Sequence, residues 1–147
     1  TNEGYRLLSN FAKQFTDKKT SSPKLYQDYL NSLNGKTIEV KAYASIDGPS
    51  KEIMKGGYTS CNKENQTREA YNQCLSQARA QNVVNELKKL LPDFFNEAYK
   101  ITIKPIGVGE TTKFVNKTYL NSKSSDETLP NRRYEVVFPS FEKTYQK

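Results

Sequence analysis

The stretch Ser76-Gln77-Ala78-Arg79-Ala80-Gln81-Asn82-Val83-Val84-Asn85-Glu86-Leu87-Lys88-Lys89-Leu90-Leu91-Pro92 decides the architecture by its phase. At about 100° per residue, Ala80, Val83, Val84, Leu87, Leu90 and Leu91 share an arc of about 120°, the width of one helix face against a core. Carrying the helix back to Tyr71 breaks that pattern. Tyr71, Cys74, Leu75 and Ala78 would face nearly opposite to Val83, Val84, Leu87 and Leu91, and one helix cannot bury both sets. The spacing therefore predicts a helix that starts at Ser76, whose hydroxyl suits an N-cap, and stops at Pro92.

Downstream of this helix, Phe94, Phe95 and Tyr99 suggest a short helical turn against the core. Lys100 to Val108 then reads as a strand with Ile101 and Ile103 inward, and Pro105 places it at an edge or a bulge. Gly107 and Gly109 read as turn residues. Upstream, Thr37 to Ala44 alternates, with Ile38, Val40 and Ala42 opposite Glu39, Lys41 and Tyr43, as a half-buried strand should.

Before that strand, Leu7, Leu8, Phe11, Ala12 and Phe15 predict an amphipathic helix from about Gly4 to Asp17. A second helix is predicted behind Ser22-Pro23, with Leu25, Tyr26, Tyr29, Leu30 and Leu33 on its apolar face and Asn34-Gly35 as its stop. Arg133 to Phe138 alternates as a last strand, and the tail after Pro139 reads as peripheral. Residues 50–73 and 111–129 show no period and read as long loops. The order helix, helix, strand, helix, strand, strand predicts an α+β fold with helices on one face of a small mixed sheet, in one domain over 1–147.

Composition narrows the chemistry. No run of about 18 apolar residues exists, so no transmembrane helix is expected, and no signal-peptide core precedes the first helix. The 147 residues include no histidine, which removes Ser-His and Cys-His nucleophile pairs and His-containing zinc or haem sites. Two cysteines cannot build a structural zinc site, so neither metal nor cofactor is expected. Scattered acids suggest no paired carboxylates for glycosidase chemistry, and the chain reads as a non-enzyme. The formal charge of +7 favours anionic partners. Nucleic acid is not among those expected, because Tyr43 and Tyr134 belong to no nucleic-acid motif. Cys61 and Cys74 could close one short loop; an oxidising compartment would form that bridge, whereas a reduced cytosol would leave two thiols.

Features with binding chemistry gather around two turns. Ser76 as N-cap puts Arg79 beside the free N–H groups of a helix start, where guanidinium and backbone donors together suit a carboxylate. The bland alternative is a solvated arginine. Ala44-Ser45-Ile46-Asp47-Gly48 ends the first strand with a hydroxyl and a carboxylate, which is also ordinary turn chemistry. If the following helix packs back on this strand, Asp47 and Arg79 offer opposite charges to a zwitterion. Asn131-Arg132-Arg133 leads into the last strand, and a charged strand edge is its bland reading.

These residues resemble the OmpA-like peptidoglycan-binding domain of Gram-negative outer-membrane proteins and lipoproteins, over about Ile38 to Phe138. The resemblance rests on Ile38-Glu39-Val40-Lys41-Ala42-Tyr43-Ala44-Ser45 and on Asn72-x-x-Leu75-Ser76-x-x-Arg79-Ala80-x-x-Val83. Ile106-Gly107-Val108-Gly109-Glu110 and Asn131-Arg132-Arg133-Tyr134-Glu135-Val136 complete it. It implies non-covalent binding of the peptidoglycan stem peptide at its diaminopimelate, in the periplasm, with membrane attachment through a segment outside this chain. By the same resemblance Arg79 takes the ligand carboxylate, and Asn72 and Arg132 match further motif positions. Ser45 stands where the family has aspartate. Ser45-Ile46-Asp47-Gly48 resembles a Bacteroidetes-type variant that places the acid, here Asp47, two residues later. A structural or assembly domain that has lost wall binding is the alternative reading.

Overall fold

The computed structural model describes residues 2–45, 61, 67–111, 133–139 and 143–146. The fold is α+β. Helices α1 (Asn2–Ser21), α2 (Pro23–Leu33) and α3 (Arg68–Leu90) accompany strands β1 (Thr37–Ser45), β2 (Thr102–Thr111), β3 (Tyr134–Phe138) and β4 (Lys143–Gln146). The strands form a small mixed sheet in the order β2-β1-β3-β4. Contacts group the chain into two compact units. One comprises Thr1–Val40, Asn82–Lys104 and Glu135–Lys147, and the other Lys41–Gln81 and Pro105–Tyr134.

The first unit holds a core of long apolar side chains. Leu8, Phe11, Leu30, Leu33, Val84 and Phe94 are all buried. Phe15 supplies the aromatic pivot, with ring centroids 5.3 Å from Phe94, 5.4 Å from Phe11 and 5.7 Å from Phe138. Such edge-on and tilted pairs add about 0.5–1.5 kcal/mol beyond their area burial. Ser22 occupies the N-cap position of α2 with Pro23 at its first turn, but its side chain makes no capping hydrogen bond. Leu25, expected on the apolar face, is 60% exposed. The buried stripe is Tyr26, Leu30 and Leu33, and Leu25 lies about 100° from Tyr26, beyond the edge of that stripe.

Gly35, at φ 79°, turns the chain out of α2 as Asn34-Gly35 predicted. Its N–H donates to Lys100 C=O and Thr102 N–H donates to Lys36 C=O, bonds that advance in the same direction along both strands, as in a parallel pair. Residues 92–99 form turns rather than a helical segment, with Phe94 fully buried. β2 lies at the sheet edge, where Pro105 placed it. It runs on to Thr111, so Gly107 and Gly109 lie within a strand instead of a turn. Beyond Phe138 the described part of the tail adds a further strand at the sheet edge. β4 pairs antiparallel with β3, from Glu135 opposite Gln146 to Phe138 opposite Lys143. No helix among the described residues is long and apolar enough to cross a membrane.

Candidate functional site

The second unit contains every described residue for which binding chemistry was expected. Its α3 portion begins at Arg68, eight residues before the predicted start. Thr67 performs the capping. Its Oγ1 accepts the Ala70 N–H at 3.1 Å and its carbonyl accepts the Tyr71 N–H at 3.0 Å. Ser76 is therefore not an N-cap, and Arg79 lies deep in the helix, where backbone N–H groups bond the preceding turn. The proposed pairing of Arg79 with free helix-start donors does not exist.

The reason lies in the core-facing stripe. Asn72, Ser76, Ala80, Val84, Leu87 and Leu91 are all buried and fall on one continuous helix face. Two of its members are polar, so a search for apolar period loses the stripe at Ala80. Burying Asn72 and Ser76 requires partners, and β2 supplies them. Ser76 Oγ accepts the Gly109 N–H at 3.0 Å and donates to Gln73 C=O at 2.9 Å. Asn72 Nδ2 donates to Glu110 Oε2 at 2.7 Å.

Two glutamines that the motif reading passed over extend this seam. Gln77 Oε1 accepts the Gly107 N–H at 2.7 Å, and Gln77 Nε2 donates to Pro105 C=O at 3.3 Å. Gln73 Nε2 donates to Gly107 C=O at 2.6 Å. Residues 105, 107 and 109 alternate along the strand, so their backbone groups point to the same edge. Side chains of α3 thus stand in for the missing neighbour strand and cover that edge. The approach is close. A Cβ on Gly107 would sit 2.4 Å from Gln77 N, and one on Gly109, at φ +88°, would sit 2.6 Å from Gln73 Oε1.

A charged clamp secures the first turn. Arg68 Nε and Nη2 donate to Glu110 at 2.8 and 3.2 Å, so this carboxylate accepts from Arg68 and Asn72 together. Cys61 and Cys74 form a disulfide, which realises the bridged alternative of the sequence reading. Ala70, Gln73, Cys74, Gln77, Ala78 and Gln81 line an open groove of about 610 Å³ along the same helix.

The remaining expected residues divide. Ala44 is buried, leaving its backbone as the usable chemistry, and Ser45 ends β1. Tyr43 N–H donates to Arg133 C=O at 2.9 Å, which sets the start of β3 beside the end of β1. Arg79 is half-buried and already engaged in contacts. Asp47 and Arg132 lie outside the described residues, as do Gly48 and most of the loops expected at 50–73 and 111–129, whose described ends are regular instead, with residues 68–73 in α3 and Thr111 in β2. Asn72 and Ser76 come together with residues 107–110, but their side chains bind the strand. The signals that could have found Gln73, Gln77 and Glu110 were the four-residue glutamine spacing around Ser76 and the alternating glycines ahead of an acid. Among the described residues no group of acids and cysteines could hold a metal ion. No family model, no curated protein and no solved structure matches this chain.

Proposed function

We propose that the unit built from Lys41–Gln81 and Pro105–Tyr134 binds peptidoglycan non-covalently at the diaminopimelate of its stem peptide. In this role it anchors an outer-membrane protein or lipoprotein to the wall in the periplasm, without a catalytic step. One observation carries the reading. Two motif segments more than thirty residues apart in sequence meet residue for residue, Asn72 on Glu110 and Ser76 on Gly109. The resemblance that suggested the ligand therefore has its middle segments joined as one unit. The disulfide supports an oxidising compartment. In this reading Arg79 meets the ligand carboxylate and Asp47 its ammonium.

Co-sedimentation with purified sacculi tests it. Wild type should pellet with sacculi, and Arg79→Ala should bind about tenfold or more weakly, from the loss of a charge-assisted hydrogen bond worth about 1.5–3 kcal/mol. Wild type staying in the supernatant would remove the proposal.

A second reading, an envelope assembly domain that does not bind the wall, is favoured by a specific fact. Both Asn72 and Ser76 already have their side chains committed to β2. Titration with a diaminopimelate-containing tripeptide, followed by NMR, separates the two. Shifts at Ala44, Ser45 and Arg79 support wall binding, and a silent spectrum supports the assembly domain.

A further inference from the structure

The outer edge of β2 is closed by side chains, and among the described residues no strand lies beyond it. Three of its edge groups, the Pro105 C=O and the Gly107 N–H and C=O, are held by the amides of Gln77 and Gln73. Both glutamines are exposed, and both line the open groove along α3. They therefore stand between that groove and the backbone of the strand. A fourth group, the Gly109 N–H, is held by the buried Ser76 and stays with the helix.

We infer that the β2 edge at Pro105 and Gly107, with the groove beside it, is a docking site for an extended, uncharged peptide segment of a partner protein. The segment adds to the sheet as a strand by displacing the Gln73 and Gln77 amides. Gln77 presents one acceptor and one donor to the edge, the same two groups that a residue of an extended chain presents. An incoming strand thus restores each bond it displaces, and two glutamine side chains regain their freedom in water.

In an antiparallel pair, the peptide residue opposite Gly107 exchanges both hydrogen bonds with it, and a residue two places along donates to the Pro105 C=O. Alternate side chains of the added strand turn towards α3. The groove of about 610 Å³ receives them over Ala70, Cys74 and Ala78, which follow one another at four-residue steps along one line of the helix. These small residues leave room for apolar side chains of modest size. Charge selects in the same direction. Ala70, Gln73, Cys74, Gln77, Ala78 and Gln81 carry none, so a charged side chain seated here gives up water without meeting a counter-ion. The inference does not rest on wall binding, and Arg79 takes no part in it.

NMR titration of the intact chain tests it, with the neutral peptide acetyl-Thr-Val-Ala-Val-Ala-Thr-amide as probe at millimolar concentration. Saturable shifts should appear at the Gly107 N–H and at the side-chain amides of Gln73 and Gln77. The fully N-methylated analogue, which has no N–H to donate, should produce none. Gln73→Ala/Gln77→Ala lacks the competing amides and should bind the peptide about tenfold more tightly than wild type. If that variant does not fold, Gln77→Ala alone should show tighter binding in the same direction. An unshifted Gly107 N–H overturns the inference, and so does equal binding of the N-methylated analogue or weaker binding by the glutamine variants. Shifts at the same amides when the protein alone is concentrated identify a second copy as the occupant and overturn it as well.

Discussion

At Gly107 the backbone of β2 lies close against the backbone of α3, and this residue carries the sharpest expectation. A methyl there meets helix backbone rather than a flexible side chain. Gly107→Ala should therefore destabilise by about 1–3 kcal/mol, read as a lowered urea midpoint. Tyr134 makes an opposite case. Its hydroxyl is buried with no hydrogen-bond partner among the described residues, and burial pushes its pKa from 10.0 up to about 12. Tyr26 also rises to about 12, through burial first and then the Asp93 carboxylate that accepts its hydroxyl proton. Both pKa values are raised on folding, so these phenols leave folding stability at its full value below pH 10 and lower it as the pH climbs towards 12. In an alkaline absorbance titration these two phenols should ionise late. Tyr134→Phe should remove one of them and leave neutral-pH stability unchanged or higher, since it deletes an unpaired buried hydroxyl.

Among the elements, α3 behaves as a helix with a polar half-seam, and its side chains should differ in cost accordingly. Ser76→Ala leaves the buried Gly109 N–H without its acceptor and should destabilise by about 1–3 kcal/mol. Leu25→Lys on α2 should change stability by less than about 0.5 kcal/mol despite the predicted apolar position, because Leu25 faces solvent. Paired urea titrations of these variants check both. The end of α1 is fastened by Asp93, which accepts from Lys19 at 2.7 Å and from Tyr26 at 3.2 Å. The Lys19 hydrogen bond leads in holding the Asp93 pKa below its ordinary value, with Tyr26 adding to it. A lowered pKa contributes stability above the ordinary carboxylate range and loses it as the pH falls through the folded value. Asp93→Asn should flatten that acid limb of the stability profile, measured by urea unfolding at successive pH values.

For the molecule as a whole, the proposed wall binding carries a salt dependence: with a formal charge of +7, sacculus binding should fall as ionic strength rises. How much of this was legible beforehand follows from where apolar residues repeat. Leu8, Phe11 and Ala12 in α1, Ile38, Val40 and Ala42 in β1, and Val136 and Phe138 in β3 are buried as their spacing predicted. Pro105 marked the edge strand, and Cys61 and Cys74 lay close enough to pair. The start of α3 was not legible, because its core stripe passes through Asn72 and Ser76, whose burial makes sense only once Glu110 and Gly109 are opposite them. β4 was missed for a related reason. Lys143-Thr144-Tyr145-Gln146 has little apolar alternation of its own and becomes a strand by pairing with the backbone of β3. Local spacing thus determined the helices, the strands with a buried face and the class of fold, since hydrophobic burial is written in a period of single residues. Only the tertiary structure decided where α3 begins, what covers the edge of β2 and which polar side chains face inward. Apart from the local Thr67 cap, those outcomes rest on hydrogen bonds between residues 28 to 42 positions apart, which no local pattern encodes.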